Sequence, residues 1–243
     1  MQLNNNTILL TGGSSGIGMA LAERLLELGN EIIVTGRGEK ALHDLKRQHP
    51  KLNIKVSDAG VAEDRVELVA HVLREFPKLN VLVNNAGIQR KVSFPTNEPW
   101  EETAQEIDIN LGAPIHLSSL LVPHLKNQAN AAIINVSSGL AFVPISRMPI
   151  YCATKAALHS LTLSLRDQLK EHSIEVIEVI PPAVKTNLGG AHDFGEELED
   201  FTDGVIQQLK IGEPEITFGM STTWSRFSRS ETDEMFQRLN GVK

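Results

Sequence analysis

The chain is short of the residues that fix disulfide-stapled or metal-held folds. It has one cysteine, Cys152, so no internal disulfide is open to it. Its eight histidines form no H-E-x-x-H motif and no pair spaced on one helical turn, so no metal site is expected. Basic residues are outnumbered, with 23 Lys and Arg against 30 Asp and Glu, for a formal net charge of −7. No Lys/Arg cluster offsets that balance, which excludes nucleic acid and anionic membrane as main partners. No apolar run approaches the roughly 18 residues needed to cross a bilayer, and stretches such as Val81–Val83 and Ala131–Val136 have strand length. The opening residues, Met1 to Asn6, lack the basic-then-apolar order of a secretory signal. With the lone cysteine, that points to a reducing cytoplasm. Internal repeats, low-complexity tracts and Pro/Gly/Ser linkers are also missing, so one domain is expected over residues 1–243.

What the chain does have is an alternating pattern. Hydrophobic residues make up 41% of its 243 residues and charged ones 22%, enough apolar matter for a large core. Short β-branched or Leu-rich runs recur at Thr7–Leu10, Glu31–Thr35, Asn53–Val56, Asn80–Val83, Ala131–Val136 and Ile174–Ile180. Helical periodicity fills the gaps at Ile17–Leu28, Lys40–Gln48, Val61–Glu75, around Glu101–Ile109, at Ile115–Lys126 and at Tyr151–Glu171. Strands that are apolar along their whole length, alternating with helices, predict an α/β fold. The expected architecture is a doubly wound, mostly parallel sheet of about seven strands with helices on both faces. Gly189 to Asp203 breaks the pattern with three glycines and six carboxylates, and reads either as a solvated surface face or as a lid over a site.

Directly after the first strand comes Thr11-Gly12-Gly13-Ser14-Ser15-Gly16-Ile17-Gly18, and then a helix. Glycines let backbone N–H groups approach a pyrophosphate, and the helix N-terminus adds partial positive charge. The spacing of Gly12, Gly16 and Gly18 is wider than G-x-G-x-x-G, and an ordinary βα turn would use the same residues. The second strand ends at Thr35-Gly36-Arg37, without the carboxylate that would bind adenosine ribose hydroxyls. Arg37 is instead suited to a 2′-phosphate, with Ser14 or Ser15 adding a hydroxyl; an exposed loop arginine is the plainer alternative. NADP(H) is therefore the expected cofactor, with NAD(H) as the weaker alternative.

The only tyrosine, Tyr151, is followed four residues later by Lys155, which places both on one helix face. Reducing a carbonyl needs a proton donor beside the developing alkoxide, and a neighbouring ammonium favours the phenolate, bringing tyrosine nearer to working pH. Ile133-Ile134-Asn135-Val136-Ser137-Ser138-Gly139 reads as a strand entering a loop, where Ser138 can hydrogen-bond a substrate oxygen. Asn84-Asn85-Ala86-Gly87 follows the fourth strand, where its backbone can line a ribose. Cys152 beside the tyrosine has no His/Asn partner set and reads as a packed thiol. Phe142, Val143, Ile145, Met148, Leu188 and Phe194 are the expected pocket wall, suited to a substrate with an apolar body.

Taken in order, Gly12-x-x-x-Gly16-x-Gly18, Asn84-Asn85-Ala86-Gly87, Asn110, Ser138 and Tyr151-x-x-x-Lys155 resemble the short-chain dehydrogenase/reductase family across nearly the whole chain. The runs from Tyr151 to Ser160 and from Ser138 to Phe142 are similar to a bacterial branch of it. The resemblance implies a Rossmann-type fold, with a cofactor-binding half at about 1–130 and a catalytic half at about 131–243. It implies a catalytic tetrad of Asn110, Ser138, Tyr151 and Lys155. In that tetrad Tyr151 is the acid/base, Ser138 orients the substrate, Lys155 also holds the nicotinamide ribose and Asn110 anchors a proton relay. It implies cofactor contacts from Gly12, Ser14, Ser15, Gly16, Ile17 and Gly18 at the turn. Further contacts are Arg37, then Asp58 near the adenine, and Asn84, Ala86 and Gly87 near the ribose. Pro181, Val184 and Thr186 complete the set beside the carboxamide. Pro182 departs from the family, which has glycine there; the ring narrows that loop and removes an N–H donor. The implied activity is interconversion of a carbonyl and an alcohol, the alternative being a non-catalytic NADP(H)-binding sensor or scaffold on the same fold.

The helices around Glu101–Lys126 and Tyr151–Glu171 carry apolar residues on more than one face, so a homodimer or homotetramer is expected. Sedimentation at micromolar concentration should show such an assembly; monomer alone would refute it.

Overall fold

In the computed structural model, which describes residues 2–96, 99–190 and 193–241, seven strands lie side by side in one sheet. They are β1 Thr7–Thr11, β2 Glu31–Gly36, β3 Asn53–Val56, β4 Leu79–Asn84, β5 Ala132–Val136, β6 Glu175–Ile180 and β7 Glu215–Thr217. The order is β3-β2-β1-β4-β5-β6-β7 and every neighbouring pair is parallel. The chain winds outward from β1 in one direction and then from β4 in the other. A crevice therefore opens between the carboxyl ends of β1 and β4, the usual ligand edge of such sheets.

The helices are α1 Gly16–Glu27, α2 Glu39–Gln48, α3 Ala62–Glu75, α4 Trp100–Ile107, α5 Ala113–Leu125, α6 Pro149–Leu169, α7 Leu198–Ile211, α8 Met220–Trp224 and α9 Arg229–Leu239. Alternate strand residues feed two cores. Ile8, Leu10, Ile32, Val34, Val81 and Val83 pack with Leu21 and Leu25 of α1, Leu42 of α2 and Phe201 and Val205 of α7. Leu9, Ile33, Leu79, Leu82 and Ile133 pack with Leu68 of α3 and Leu117 and Leu121 of α5. This period-2 partition is what a sheet covered on both faces requires.

The second core is interrupted by a polar row. Asn84, Asn135, Glu178 and Glu215 are register partners across β4, β5, β6 and β7, so they share one face of the sheet. Asn84 Nδ2 donates to Asn135 Oδ1 at 2.8 Å, and Asn135 Nδ2 donates to Thr162 Oγ1 at 2.9 Å. His159 Nδ1 meets Glu178 Oε2 at 2.8 Å, and Arg166 Nη1 meets Glu215 Oε1 at 3.2 Å. His159, Thr162 and Arg166 form one face of α6, so this row bolts the helix to the sheet at one register.

Three sequence expectations need correction, and a fourth, the seventh strand, is borne out and gains its location. The segment from Gly189 to Asp203 is not one loop. Its end is the first turn and a half of α7, where Glu199 and Asp200 suit the positive helix start and Phe201 is buried at 1% exposure. Ala191 and His192 of that segment lie outside the described residues. The helix expected around Glu101–Ile109 gives way at Asp108–Gly112 to a π-helical turn before α5 begins. The seventh strand, which the sequence reading left unlocated, is the three-residue Glu215–Thr217, too short to show periodicity. Val143, expected in the pocket wall, is fully buried and offers no surface to a ligand.

Candidate active site

The glycine turn and the loop after β4 are locked together at the crevice. Thr11 Oγ1 accepts from the Asn85 and Ala86 backbone N–H groups at 3.1 Å each and donates to Val83 O at 3.2 Å. Asn85 Nδ2 donates to Thr11 O at 2.9 Å and to Gly12 O at 3.0 Å. The fit tolerates no side chain: a Cβ on Gly12, whose φ is +67°, would lie 2.7 Å from Ala86 Cα, and one on Gly18 would lie 2.3 Å from Asn85 Nδ2. Gly13, which the motif did not count, is equally closed, 2.6 Å from Val34 Cγ1. The Ser15 side chain makes no cap hydrogen bond, and the first turn of α1 carries no acidic residue. The bare backbone and uncapped helix start fit a pyrophosphate.

Thr186 closes on this turn, its Cγ2 3.4 Å from where a Gly16 Cβ would stand. A cavity of about 500 Å³ lies between Ser15, Gly16, Lys185, Thr186, Asn187, Asp193 and Leu198. The Pro181–Thr186 segment is held by Gly139 N donating to Pro181 O at 2.8 Å and by backbone bonds from Glu196 N to Ala183 O and from Lys185 N to Glu196 O, both 2.9 Å. Pro182 sits in it without a cis bond, and Val184 is turned into the core. Ile17 packs half-buried against the same core. At the other end, Arg37 is exposed beyond β2, and Ser14 Oγ is 3.2 Å from a Cβ built on Gly36. Asp58 Oδ1 accepts from Gly60 N at 2.8 Å, shaping the turn before α3. The Asn84 side chain points into the polar row, so only its backbone faces the loop side.

Asn110, Ser138, Tyr151 and Lys155 converge at the same edge. Asn110 lies in the π-turn, fully buried. It accepts from Ile88 N at 2.9 Å, donates to Ile88 O at 2.9 Å, and reaches Thr154 Oγ1 at 3.2 Å. A Cβ on Gly87 would stand 3.5 Å from Asn110 Oδ1 and 3.6 Å from Lys155 Nζ, which puts the ammonium beside that loop. Lys155 Nζ donates to Val136 O at 2.7 Å and lies 5.6 Å from the Tyr151 ring centroid. The Ser138 hydroxyl neighbours the Tyr151 phenol, and Ser138 Oγ accepts from Leu140 N at 3.1 Å.

The electrostatics differ from the sequence expectation. Burial pushes the Tyr151 phenol up to about 12; the neighbouring Ser138 hydroxyl opposes this, and the Cys152 and Glu106 charges add to it. Desolvation therefore outweighs any lowering by Lys155, itself pushed down to about 8 by burial. Cys152 is buried, exchanges hydrogen bonds with the Ile145 backbone, and has its thiol raised by burial, as an inert packed thiol should.

Of the expected pocket wall, Met148 is buried, Phe142 packs edge-on against His159 with centroids 4.6 Å apart, and Leu188 and Phe194 are exposed. The sequence reading missed the C-terminal side of the site. There Trp224 lies against Gly139, and Asn240 after α9 accepts from Ser146 N at 2.6 Å and donates to Pro144 O at 3.3 Å. It also missed Glu106 of α4, fully buried, with Oε1 accepting from Arg90 N at 3.4 Å and Oε2 without a partner among the described residues. A single carboxylate in a helix beside exposed Glu101 and Glu102 gives no signal in the sequence. Among the described residues no cluster of His, Cys, Asp or Glu could hold a metal ion, and no helix is long and apolar enough to cross a membrane.

A doubly wound parallel sheet with a bare glycine turn at its switch point, and a buried tyrosine beside a lysine at the same edge, defines an oxidoreductase of the dinucleotide-fold class. The chain belongs to the short chain dehydrogenase family, whose sequence profile matches residues 6–195. It is 45% identical to DltE of Bacillus subtilis, described as an uncharacterized oxidoreductase, over 99% of this chain and 98% of that one. Among solved structures it is similar to a short chain dehydrogenase of Burkholderia cenocepacia in complex with NADP, with 26% identity, a TM-score of 0.85, and coverage of 98% of this chain and 99% of the other. A short-chain dehydrogenase of Sphingobium yanoikuyae in complex with NADPH gives 26% identity, a TM-score of 0.82 and 95% coverage of each chain.

Burial raises the Glu106 carboxyl above its usual range, against the smaller opposing effects of the Arg90 N–H and charge. The folded state thus holds this proton more tightly than the unfolded chain does. Its contribution to stability is complete below the ordinary carboxylate range and is lost as pH rises through the folded value. Glu106→Gln, neutral throughout, should match the parent in urea unfolding at pH 4.5 and exceed it increasingly towards pH 8. A constant difference across that range would contradict a buried protonated carboxyl.

Proposed function

We propose that this chain is an NADP(H)-dependent oxidoreductase that interconverts a carbonyl and an alcohol, with Tyr151 as general acid/base. The observation that carries the reading is the convergence of Ser138, the Tyr151 hydroxyl and the Lys155 ammonium on the edge where the glycine turn opens. The bound nicotinamide supplies or takes up the hydride. Tyr151, kept neutral by burial, gives its proton to the substrate oxygen as negative charge develops there. Ser138, beside the phenol, orients that oxygen. Lys155, near the Tyr151 ring and the Gly87 loop, stabilises the phenolate left behind and reaches towards the cofactor ribose. Asn110 ties the Ile88 backbone to α6 and links Lys155 to a proton relay. Phe142, Ile145, Leu188 and Phe194 favour a substrate with an apolar body. Ile115 and Leu163, apolar and 45% and 43% exposed on α5 and α6, support pairing of two copies along these helices.

The 2′-phosphate preference rests on Arg37 and Ser14 flanking Gly36 with no carboxylate at that position, and on relatives solved with NADP and NADPH. Gly12, Ser15, Gly16 and Gly18 would hold the pyrophosphate, Asp58 the adenine side, and Ala86, Gly87, Pro181 and Thr186 the nicotinamide riboside.

Two measurements test this. Tyr151→Phe removes the proton and keeps the ring; with a carbonyl panel followed by NADPH absorbance, turnover should fall at least ~100-fold while NADPH affinity stays within a few-fold. Undiminished turnover would move the chemistry elsewhere. In fluorescence titrations the unmodified protein should bind NADPH about ten- to a hundredfold more tightly than NADH, with part of the margin lost at high salt. Gly36→Asp combined with Arg37→Leu should reverse the order, and equal affinities in the parent would reduce Arg37 to a loop residue.

A further inference from the structure

Glu178 is a carboxylate within β6 whose side chain is fully buried, whereas Glu175 at the start of the strand is exposed. One oxygen, Oε2, is 2.8 Å from His159 Nδ1, and the other, Oε1, has no hydrogen-bond partner among the described residues. If the only task were to bolt α6 to β6, a neutral amide would serve with less desolvation cost, since a buried charge with an unpaired oxygen is expensive. The placement points to a use for the charge. Lys155 lies one helical turn before His159 on the same face of α6. Its Nζ is held by Val136 O, and Val136 is the register partner of Val179, the residue after Glu178.

We propose that Glu178 is a positioning residue for Lys155: its buried carboxylate, gripped by His159, is the counter-charge that keeps the Lys155 side chain cationic at the active edge. The proposal rests on the catalytic reading of Lys155 given above. Glu178 is the one charge identified as opposing the burial that drives the Lys155 proton off. Around the pair stand Tyr151 and Arg166 on α6 and Glu215 on β7. His159 is raised mainly by its bond to Glu178, with Glu215 adding to that, and burial and then Arg166 opposing it. Protonated His159 partly cancels the Glu178 charge, and loss of its proton at higher pH strengthens the field on Lys155 where the ammonium most needs it.

The test is an NMR titration of the cofactor-free protein labelled with 13Cε-lysine, the Lys155 signal being assigned by its loss in Lys155→Met. Glu178→Gln should lower the Lys155 midpoint by about half a pH unit or more, roughly a threefold loss of proton affinity. Glu178→Asp, which keeps the charge, should stay within about 0.3 of the parent. Should Glu178→Gln not fold, His159→Gln decides, since it removes the cation and leaves the carboxylate: the midpoint should hold or rise. An unmoved midpoint in Glu178→Gln, an Asp variant that falls as far as the Gln variant, or a fall in His159→Gln would each overturn the proposal. Because no turnover is measured, such a failure is separate from failure of the catalytic reading, which Tyr151→Phe decides.

Discussion

Everything at the candidate active edge depends on how α6 is seated on the sheet. Apolar contacts alone would let a helix slide or roll by small steps, because one leucine can replace another in a greasy groove. Hydrogen bonds in a dry interior do not allow that, since every step would leave buried donors and acceptors unpaired. Within the row, buried Asn135 meets Thr162 and buried Glu178 meets His159 at single positions, and the half-exposed Arg166–Glu215 pair follows at its edge. Those contacts fix the rotation and height of the helix whose first turns carry Tyr151 and Lys155. The phenol comes beside Ser138 and the ammonium to Val136 O because residues four to fifteen positions further along are locked.

The second constraint is the close packing around the glycine turn at the switch point. Gly12, Gly13 and Gly18 have no room for a methyl group, against Ala86, Val34 and Asn85 respectively. The Thr11 hydroxyl is shared between two N–H groups of the neighbouring loop. The turn is thereby held open by its neighbours rather than by its own stiffness, and its N–H groups stay clear of competing side chains.

Much of this could be read in the sequence. Strands buried on both faces are apolar throughout, so β1, β2, β4, β5 and β6 stood out to within a residue or two, and the Gly, Ser, Tyr and Lys spacings located the edge. What escaped did so for physical reasons. β7 is too short for a period, α8 has five residues, and α9 has no buried residue among its eleven. Glu106 and Glu178 are ordinary acidic letters whose burial follows only from tertiary packing. The electrostatic expectation for Tyr151 failed because sequence spacing shows a neighbouring charge but not the absence of water.

The π-helical turn at Asp108–Gly112 carries its own consequence. It holds one more residue per turn than the helices on either side, and Asn110 sits inside it. Each residue of an α-helix advances the chain by about 100° of rotation. Deleting a single residue between Trp100 and Asn110 would relax the turn to α geometry and swing the amide away from Ile88 and Thr154, even with every other amino acid unchanged. Over this stretch the number of residues matters to the geometry as well as their identity. Insertions and deletions among descendants of this gene should therefore avoid it and collect in the loops that make no such count.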